Sequence, residues 1–271
     1  MAQDNKKDYE QMRSALLAAF GPTDWDAYNY LVDWIRQNDF ASRALNEGAF
    51  APDFLLPDAN GRLVSSVELR KRGPLVVSFY RGCWCPYCTA ELCALQAAKG
   101  EFEDLHAGLV VLSPDTKDFP REMKRSFGLE LQVLADVDHG VSMSYGVLFS
   151  VPEETRAYYS DRGIDLGNRH GSSIWMLPIP ATYVIDRDGR IRHAFIEPDF
   201  TVRQEPTEIL AAVRRLAGEL SQPWRVWPSA GTSSAGASTC GFGRANPSTN
   251  AVTLFAGISQ GFNRSPPATV R

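Results

Sequence analysis

The stretch FYRGCWCPYCTAELC, residues 79–93, holds four of the chain's five cysteines. It begins inside the apolar run PLVVSFY at 74–80 and leads into a helical pattern over 86–106, with Leu92, Leu95, Phe102 and Leu105 at helical spacing. An apolar run of that length reads as a buried central strand. The order is therefore strand, loop, helix, with the thiols where the loop meets the helix. Pro86 suits the first helical position, where no backbone N–H is needed. That makes Cys85 the cap and puts Cys88 in the first turn. Unpaired N–H groups and the positive end of the helix dipole favour a thiolate there, and the thiolate is the reactive form of cysteine. Arg81, just upstream, supplies a cationic hydrogen-bond donor.

Three chemistries compete for such a cluster: metal binding, dithiol exchange and attack on a peroxide. Structural zinc sites usually draw thiolates from two separated pairs, whereas residues 88 and 93 of one helix point apart, so no metal is expected. The histidines at 106, 139, 170 and 193 are scattered, without ligand or triad spacing. No glycine-rich phosphate loop is visible, and no cofactor is expected. Cys85 and Cys88 can close a small ring at the helix start. Cys93 lies five residues after Cys88, about 7.5 Å along a helix axis, beyond the usual Cα separation of a disulfide. It reads as a small buried residue or, if the helix start unwinds, an alternative resolving thiol. Cys83 reads as a loop thiol, and Cys240 as incidental.

Outward from this stretch, strands and helices alternate. Residues 8–20 and the segment after Gly21-Pro22 read as two helices, the second capped by Asp24. Two short strands flank Asn60-Gly61, followed by a helix from Ser66. Strands are expected at 108–114 and 131–136, helices at 118–127 and within HGVSMSYGV. Residues 149–178 read as a long irregular segment with one or two helical turns. A hairpin over 181–186 and 190–196 precedes an amphipathic helix at 205–220. This pattern predicts an α/β fold with a mixed central sheet flanked by helices.

Composition narrows the partners. Of 271 residues, 28 are basic and 32 acidic, net −4, which offers no basic surface for nucleic acid. No apolar run approaches the length of a membrane span. The N-terminus MAQDNKKDYEQM lacks a secretory apolar core. The expected compartment is the cytoplasm, where clustered cysteines serve as catalysts or metal ligands more often than as staples. From Ser221 onward there is no acidic residue, and the only charges are Arg225, Arg244, Arg264 and Arg271. The expected organisation is an N-terminal helical extension (1–47), an α/β domain (48–220) and a low-complexity, disordered tail (221–271).

The blocks APDFLLPDANGRLVSSVEL, LVVSFYRGCWCPYCTAEL, LADVDHGVSMSYGV and PATYVIDRDGRIRH, in that order, resemble the peroxiredoxin group of the thioredoxin superfamily. Within it they are most similar to the alkyl hydroperoxide reductase/thiol-specific antioxidant and bacterioferritin-comigratory (Q-type) proteins. The resemblance covers residues 48–218. It implies a thioredoxin-like fold, peroxide as substrate, and a thioredoxin- or glutathione-type reductant. Aligning CTAEL with the family pattern puts the peroxide-attacking thiol at Cys88, with Cys85 as resolver. That alignment also leaves Cys85 at the usual Thr position, Arg81 at the usual Pro position, and Pro180 at the usual Arg position. The alternative alignment, on CPYC after Trp84, is that of thioredoxin. It puts the attacking thiol at Cys85 and sets Pro180 where thioredoxins keep a cis-proline facing the dithiol. In either alignment Trp84 and Tyr87 flank the dithiol, where they are expected to shield it and present an apolar docking face, and Thr182 is placed for a hydrogen bond near the thiolate. Three readings follow: a thiol-dependent peroxidase, a protein disulfide reductase, and a non-enzymatic redox sensor.

Overall fold

A computed structural model describes residues 2–116 and 118–219. The expectation for the tail, with Cys240, lies outside the described residues. The first helices are α1 (Ala2–Ala18) and α2 (Pro22–Gln37). Gly21, not Asp24, is the N-cap of α2; Pro22 opens the helix, and Asp24 reaches back to accept the Gly21 N–H at 2.9 Å. A carboxylate three residues inside the cap stabilises the first turn in the same way as a cap residue. A 3-10 turn over Phe40–Arg43 follows. Leu31, Ile35, Phe40 and Ala44 from this N-terminal part join the main hydrophobic core.

The hairpin of β1 (Leu55–Pro57) and β2 (Leu63–Ser65) forms around Asn60-Gly61 as expected, and the Ser65 side chain caps α3 (Ser66–Arg70). Then come β3 (Leu75–Phe79), α4 (Pro86–Ala97), α5 (Lys99–Asp104), β4 (Gly108–Ser113), α6 (Phe119–Phe127) and β5 (Gln132–Ala135). The single helix expected over 86–106 is two helices that meet at Ala98. After α7 (Gly140–Ser144) the segment expected to be irregular is well built. It holds β6 (Leu148–Ser150), α8 (Glu153–Asp161), α9 (Leu166–His170) and β7 (Met176–Pro178), with β6 and β7 paired antiparallel. Its strands are three residues each, too short to show a period. The chain closes with β8 (Ala181–Ile185), β9 (Ile191–Ile196) and α10 (Pro206–Glu219).

The five-stranded sheet runs β5-β4-β3-β8-β9. β3 lies at its centre, parallel to β4 and antiparallel to β8. Every residue of β3 is buried, as its unbroken apolar run requires of a strand covered on both faces. Burying each such Val, Leu or Phe side chain contributes about 1.5–3 kcal/mol. α10 buries Ile209, Leu210, Val213 and Leu216 along one stripe, the spacing of a helix packed on a sheet. Among the described residues no helix is long and apolar enough to cross a membrane.

This architecture fixes the place of the thiols. β3 ends at Phe79, and α4 begins at Pro86. Residues 80–85 therefore form a short loop at the carboxyl end of the central strand. Gly82, at φ +147°, is the pivot of that loop; a Cβ there would collide with the Trp84 indole and come within 3.0 Å of Asp115 Oδ2. Only glycine fits both the angle and the space.

Candidate active site

Cys85 is the N-cap of α4, in extended conformation, with Pro86 in the first turn. Cys83, Cys85 and Cys88 are free thiols, with 0%, 1% and 0% of their surfaces exposed. The expectation of an exposed aromatic docking face fails, because Trp84 and Tyr87 are themselves buried. Tyr87 packs edge-on against Phe200, and Trp84 packs against Tyr159. The site is closed over by side chains rather than an open cleft.

Arg81 is buried, not a solvated surface residue. Its guanidinium lies 4.0 Å from the Phe200 ring centre and 4.8 Å from that of Trp84, and donates to the Tyr159 hydroxyl. Its Nε has no hydrogen-bond partner among the described residues. Rings stacked on a guanidinium offset part of the cost of burying its charge. Arg203, in the segment between β9 and α10, donates from Nη2 to Cys88 Sγ at 3.3 Å and from Nε to Glu91 Oε2 at 2.6 Å. Glu91 also accepts from Ser78 Oγ at 3.3 Å.

These charges sort the two thiols. Burial pushes the Cys85 thiol up, but it is outweighed by the Cys88 side chain hydrogen bond, by Arg81 and Arg203, and by the Cys88 backbone N–H. The net result is a fall from 9.0 to about 6. Burial pushes Cys88 well up, and its hydrogen bond to Cys85 and the Cys85 charge add to this against Arg203 and Arg81. Of the two, Cys85 is the thiol whose surroundings favour the thiolate. Burial raises Glu91 to about 7 against the pull of Arg203, with the Cys88 charge adding to the rise.

The site has a cover. Asp199 accepts from Tyr28 Oη at 2.6 Å and pairs with Arg13 at 3.8 Å. The Thr201 carbonyl accepts from Tyr9 Oη at 2.9 Å and Arg13 Nε at 3.1 Å. The N-terminal helices thus hold the strap of residues 197–203 down, with Phe200 over Arg81.

The remaining expected site residues fall further out. The peptide before Pro180 is trans, as are all peptides of the described residues, so the cis-proline of the thioredoxin pattern is missing. Thr182 is buried in β8 opposite Ser78. Cys93 sits half-buried on the intact α4, packed against the core. It is disulfide-bonded, so it is not a free thiol beside the pair. Cys83, expected to be a loop thiol without a role, is buried and accepts from Arg169 Nη1 at 3.2 Å. The sequence reading did not single out Arg203, Arg169, Asp115 or Tyr159. Glu91 alone carried a signal, standing three residues after Cys88 and so on the same face of one helix.

A thioredoxin-like sheet with a dithiol at the start of the helix after its central strand is the framework of a thiol-dependent oxidoreductase. A family model described as AhpC/TSA family matches residues 48–194. The chain belongs to the AhpC/TSA family, the thiol-dependent peroxidases of the thioredoxin superfamily. It is 30% identical over 153 residues to a protein named putative peroxiredoxin Q, chloroplastic, of Oryza sativa subsp. indica, covering 55% of this chain and 69% of that one. It is 30% identical over 154 residues to peroxiredoxin Bcp of Escherichia coli K12, covering 56% and 85%. The fold is similar to that of peroxidoxin BcpB from Mycobacterium tuberculosis, with a TM-score of 0.50 at 22% identity over 64% of this chain and 98% of that one. A peroxiredoxin-like protein from Aquifex aeolicus gives a TM-score of 0.51 at 18% identity, over 64% and 88%.

Proposed function

We propose that this chain reduces hydrogen peroxide or a small organic hydroperoxide at Cys85, with Cys88 as the resolving thiol. The reading rests on the place of Cys85 as the N-cap of α4, where the helix start and the charges of Arg81 and Arg203 favour its thiolate. It reverses the roles implied by aligning CTAEL with the family pattern, because the Cys88 thiol keeps its proton in this setting. The Cys85 sulfur attacks one peroxide oxygen, the O–O bond breaks, and the departing alkoxide or hydroxide takes a proton. Cys85 becomes a sulfenic acid. Arg81 and Arg203 stabilise the negative charge as it passes from sulfur to the leaving oxygen. The Cys88 thiol then gives up its proton, the sulfur attacks Cys85, and hydroxide leaves as water. A thioredoxin- or glutathione-type thiol donor reduces the Cys85–Cys88 disulfide by exchange.

Burial favours peroxide over protein disulfides as the oxidant. A peroxide is small enough to enter during brief openings, whereas a protein disulfide must dock on the thiol itself. The reductant in turn requires the strap over 197–203 to lift. A reduced dithiol of this kind suits the cytoplasm. The test is peroxide consumption with a recycling thiol donor across Cys85→Ser and Cys88→Ser. Cys85→Ser is expected to lose turnover and form no sulfenic acid, and Cys88→Ser to accumulate one that dimedone traps. The opposite pattern assigns peroxide attack to Cys88.

A further inference from the structure

Two buried thiols flank Cys85, and the protein surrounds them in the same way. On one side Cys88 accepts from Arg203 at 3.3 Å, and Arg203 pairs with the buried Glu91. On the other, Cys83 accepts from Arg169 Nη1 at 3.2 Å, and that nitrogen lies 4.0 Å from Oδ1 of the buried Asp115. Asp115 Oδ2 also accepts the Cys83 backbone N–H at 2.8 Å. Each outer thiol thus has its own guanidinium and its own carboxylate. The second set is not explained by packing. Among the described residues, Arg169 Nε and Asp115 Oδ1 are buried without a hydrogen-bond partner, an arrangement that costs stability where no use is made of it.

We propose that Cys83 is a third redox thiol that shares the site disulfide, displacing Cys88 from Cys85 by thiol–disulfide exchange. The proposal rests on the Cys85–Cys88 disulfide of the functional reading above. The loop brings the two backbones within range. Cys83 and Trp84 are the central residues of a turn closed by the Cys85 N–H on the Gly82 carbonyl at 3.2 Å. Residues two apart in such a turn have Cα atoms about 5.5–6 Å apart, inside the span of a disulfide. The exchange is balanced internally. The Cys83 proton passes to the Asp115 carboxylate, and the Cys83 sulfur attacks Cys85 Sγ. The Cys85–Cys88 bond breaks, and Cys88 leaves with the electron pair as a thiolate beside Arg203. No sulfur changes its oxidation level overall; the disulfide moves. Burial raises the Cys83 thiol well above its ordinary value, with Asp115 adding to this and Arg169 opposing it. Cys88 is raised in the same direction, so neither thiol holds Cys85 by acidity alone. The exchange returns Cys88 to the reduced state before any reductant has bound.

The test uses the full chain. One equivalent of hydrogen peroxide, or in a parallel sample diamide, forms the first disulfide. Acid-quenched samples are alkylated and mapped by non-reducing peptide mass spectrometry. The expected result is a Cys85–Cys88 link that gives way to a Cys83–Cys85 link in about a tenth of chains or more, with Cys88 becoming alkylable in step. Cys83→Ser is expected to stay wholly in the first link. Arg169→Met should slow the exchange about tenfold and move its pH dependence upward, with Arg169→Lys restoring part of the rate. A Cys85–Cys88 link that persists while Cys83 is alkylated in every sample overturns the proposal. If diamide forms that link and peroxide does not, the peroxidase reading fails while the diamide sample still decides the exchange. If neither forms it, both fail together.

Discussion

Arg203 donates a hydrogen bond to Cys88 across 115 residues of sequence, at 3.3 Å between Nη2 and Sγ. The same guanidinium holds the buried Glu91. Arg203 therefore ties a reacting sulfur and a buried carboxylate to one cation. Arg203→Met leaves Glu91 buried without its partner, which costs about 3–5 kcal/mol. It also removes a positive charge from both thiols, and the peroxide rate constant is expected to fall about 100-fold. Arg203→Lys keeps the charge and loses the fork, so it should recover stability more than rate. Thermal melting and stopped-flow peroxide reduction separate the two effects.

The Cys85 thiolate has a pH signature. Its pKa is lowered to about 6, so alkylation by iodoacetamide should rise through about pH 6 and be flat by about pH 8. Arg81→Met should carry that midpoint upward, since Arg81 is one of the charges holding the thiolate. The sign of the stability effect follows. The folded state binds fewer protons than the unfolded state between about 6 and the ordinary value of 9.0. The contribution of Cys85 is thus full above that ordinary value and is lost as pH falls through about 6. A midpoint near the ordinary thiol value in the intact protein would refute the resting thiolate.

The strap over the thiols is pinned by Tyr9 and Arg13 of α1. Removing Arg13 abolishes two hydrogen bonds to Thr201 from Nε, at 3.1 and 3.2 Å, one from Nη2 at 3.0 Å, and the 3.8 Å ion pair with Asp199. At about 1 kcal/mol net for one such bond, each lost contact raises the open population several-fold. Arg13→Ala is expected to speed labelling of Cys85 by a bulky maleimide about tenfold and to speed recycling by a protein reductant. Labelling by a small reagent should change less. Equal effects on both reagents would mean the strap does not gate the site.

Local pattern carried most of the fold. The apolar run at 74–80, the Asn60-Gly61 turn and the amphipathic stretch before residue 220 each obey a short-range rule, and each forms the element expected. The helix start at Pro86 was equally legible, and with it the cap position of Cys85. The misses have one physical source. Arg203 and Arg169 reach the thiols across 115 and 86 residues, and Asp115 reaches the Cys83 backbone N–H across 32; nothing in a local window distinguishes a buried arginine from a solvated one. The closed state of the site was hidden for the same reason, since it depends on α1 and the 197–203 strap meeting at Thr201.

His170 offers a test of the second polar cluster. Burial, then the neighbouring His139 and Arg169, push its pKa down from 6.5 to about 3, and neither ring nitrogen has a hydrogen-bond partner among the described residues. The ring packs against His139 with centroids 5.0 Å apart. The unfolded chain binds the proton and the folded chain does not between those two values. Stability from this group is full above the ordinary value of 6.5 and falls as pH drops toward 3, by about 1.4 kcal/mol per unit. His170→Phe should flatten that part of the stability curve. An unchanged slope in urea melts between about pH 4 and the ordinary histidine value would place the titration elsewhere.

The choice of resolving thiol reduces to helix geometry. Cys88 and Cys93 both lie on α4, which runs unbroken from Pro86 to Ala97. Five residues of helix separate them by about 7.5 Å along the axis, and a disulfide accommodates Cα atoms up to about 6.8 Å apart. A bond between them therefore requires the first turns of α4 to unwind, breaking the Thr89 N–H to Cys85 carbonyl bond at 3.1 Å. It also requires Cys93 to leave the disulfide that already holds it. Cys85 is the cap of the same helix and Cys88 stands in its first turn, so a bond between them needs no such opening. Oxidation by one equivalent of peroxide is expected to link Cys85 to Cys88 first, at a rate that Cys93→Ser leaves unchanged. Far-ultraviolet circular dichroism should show no loss of helix during that step. A dominant Cys88–Cys93 link, accompanied by a drop in helical signal, would mean instead that the helix start melts in each catalytic cycle.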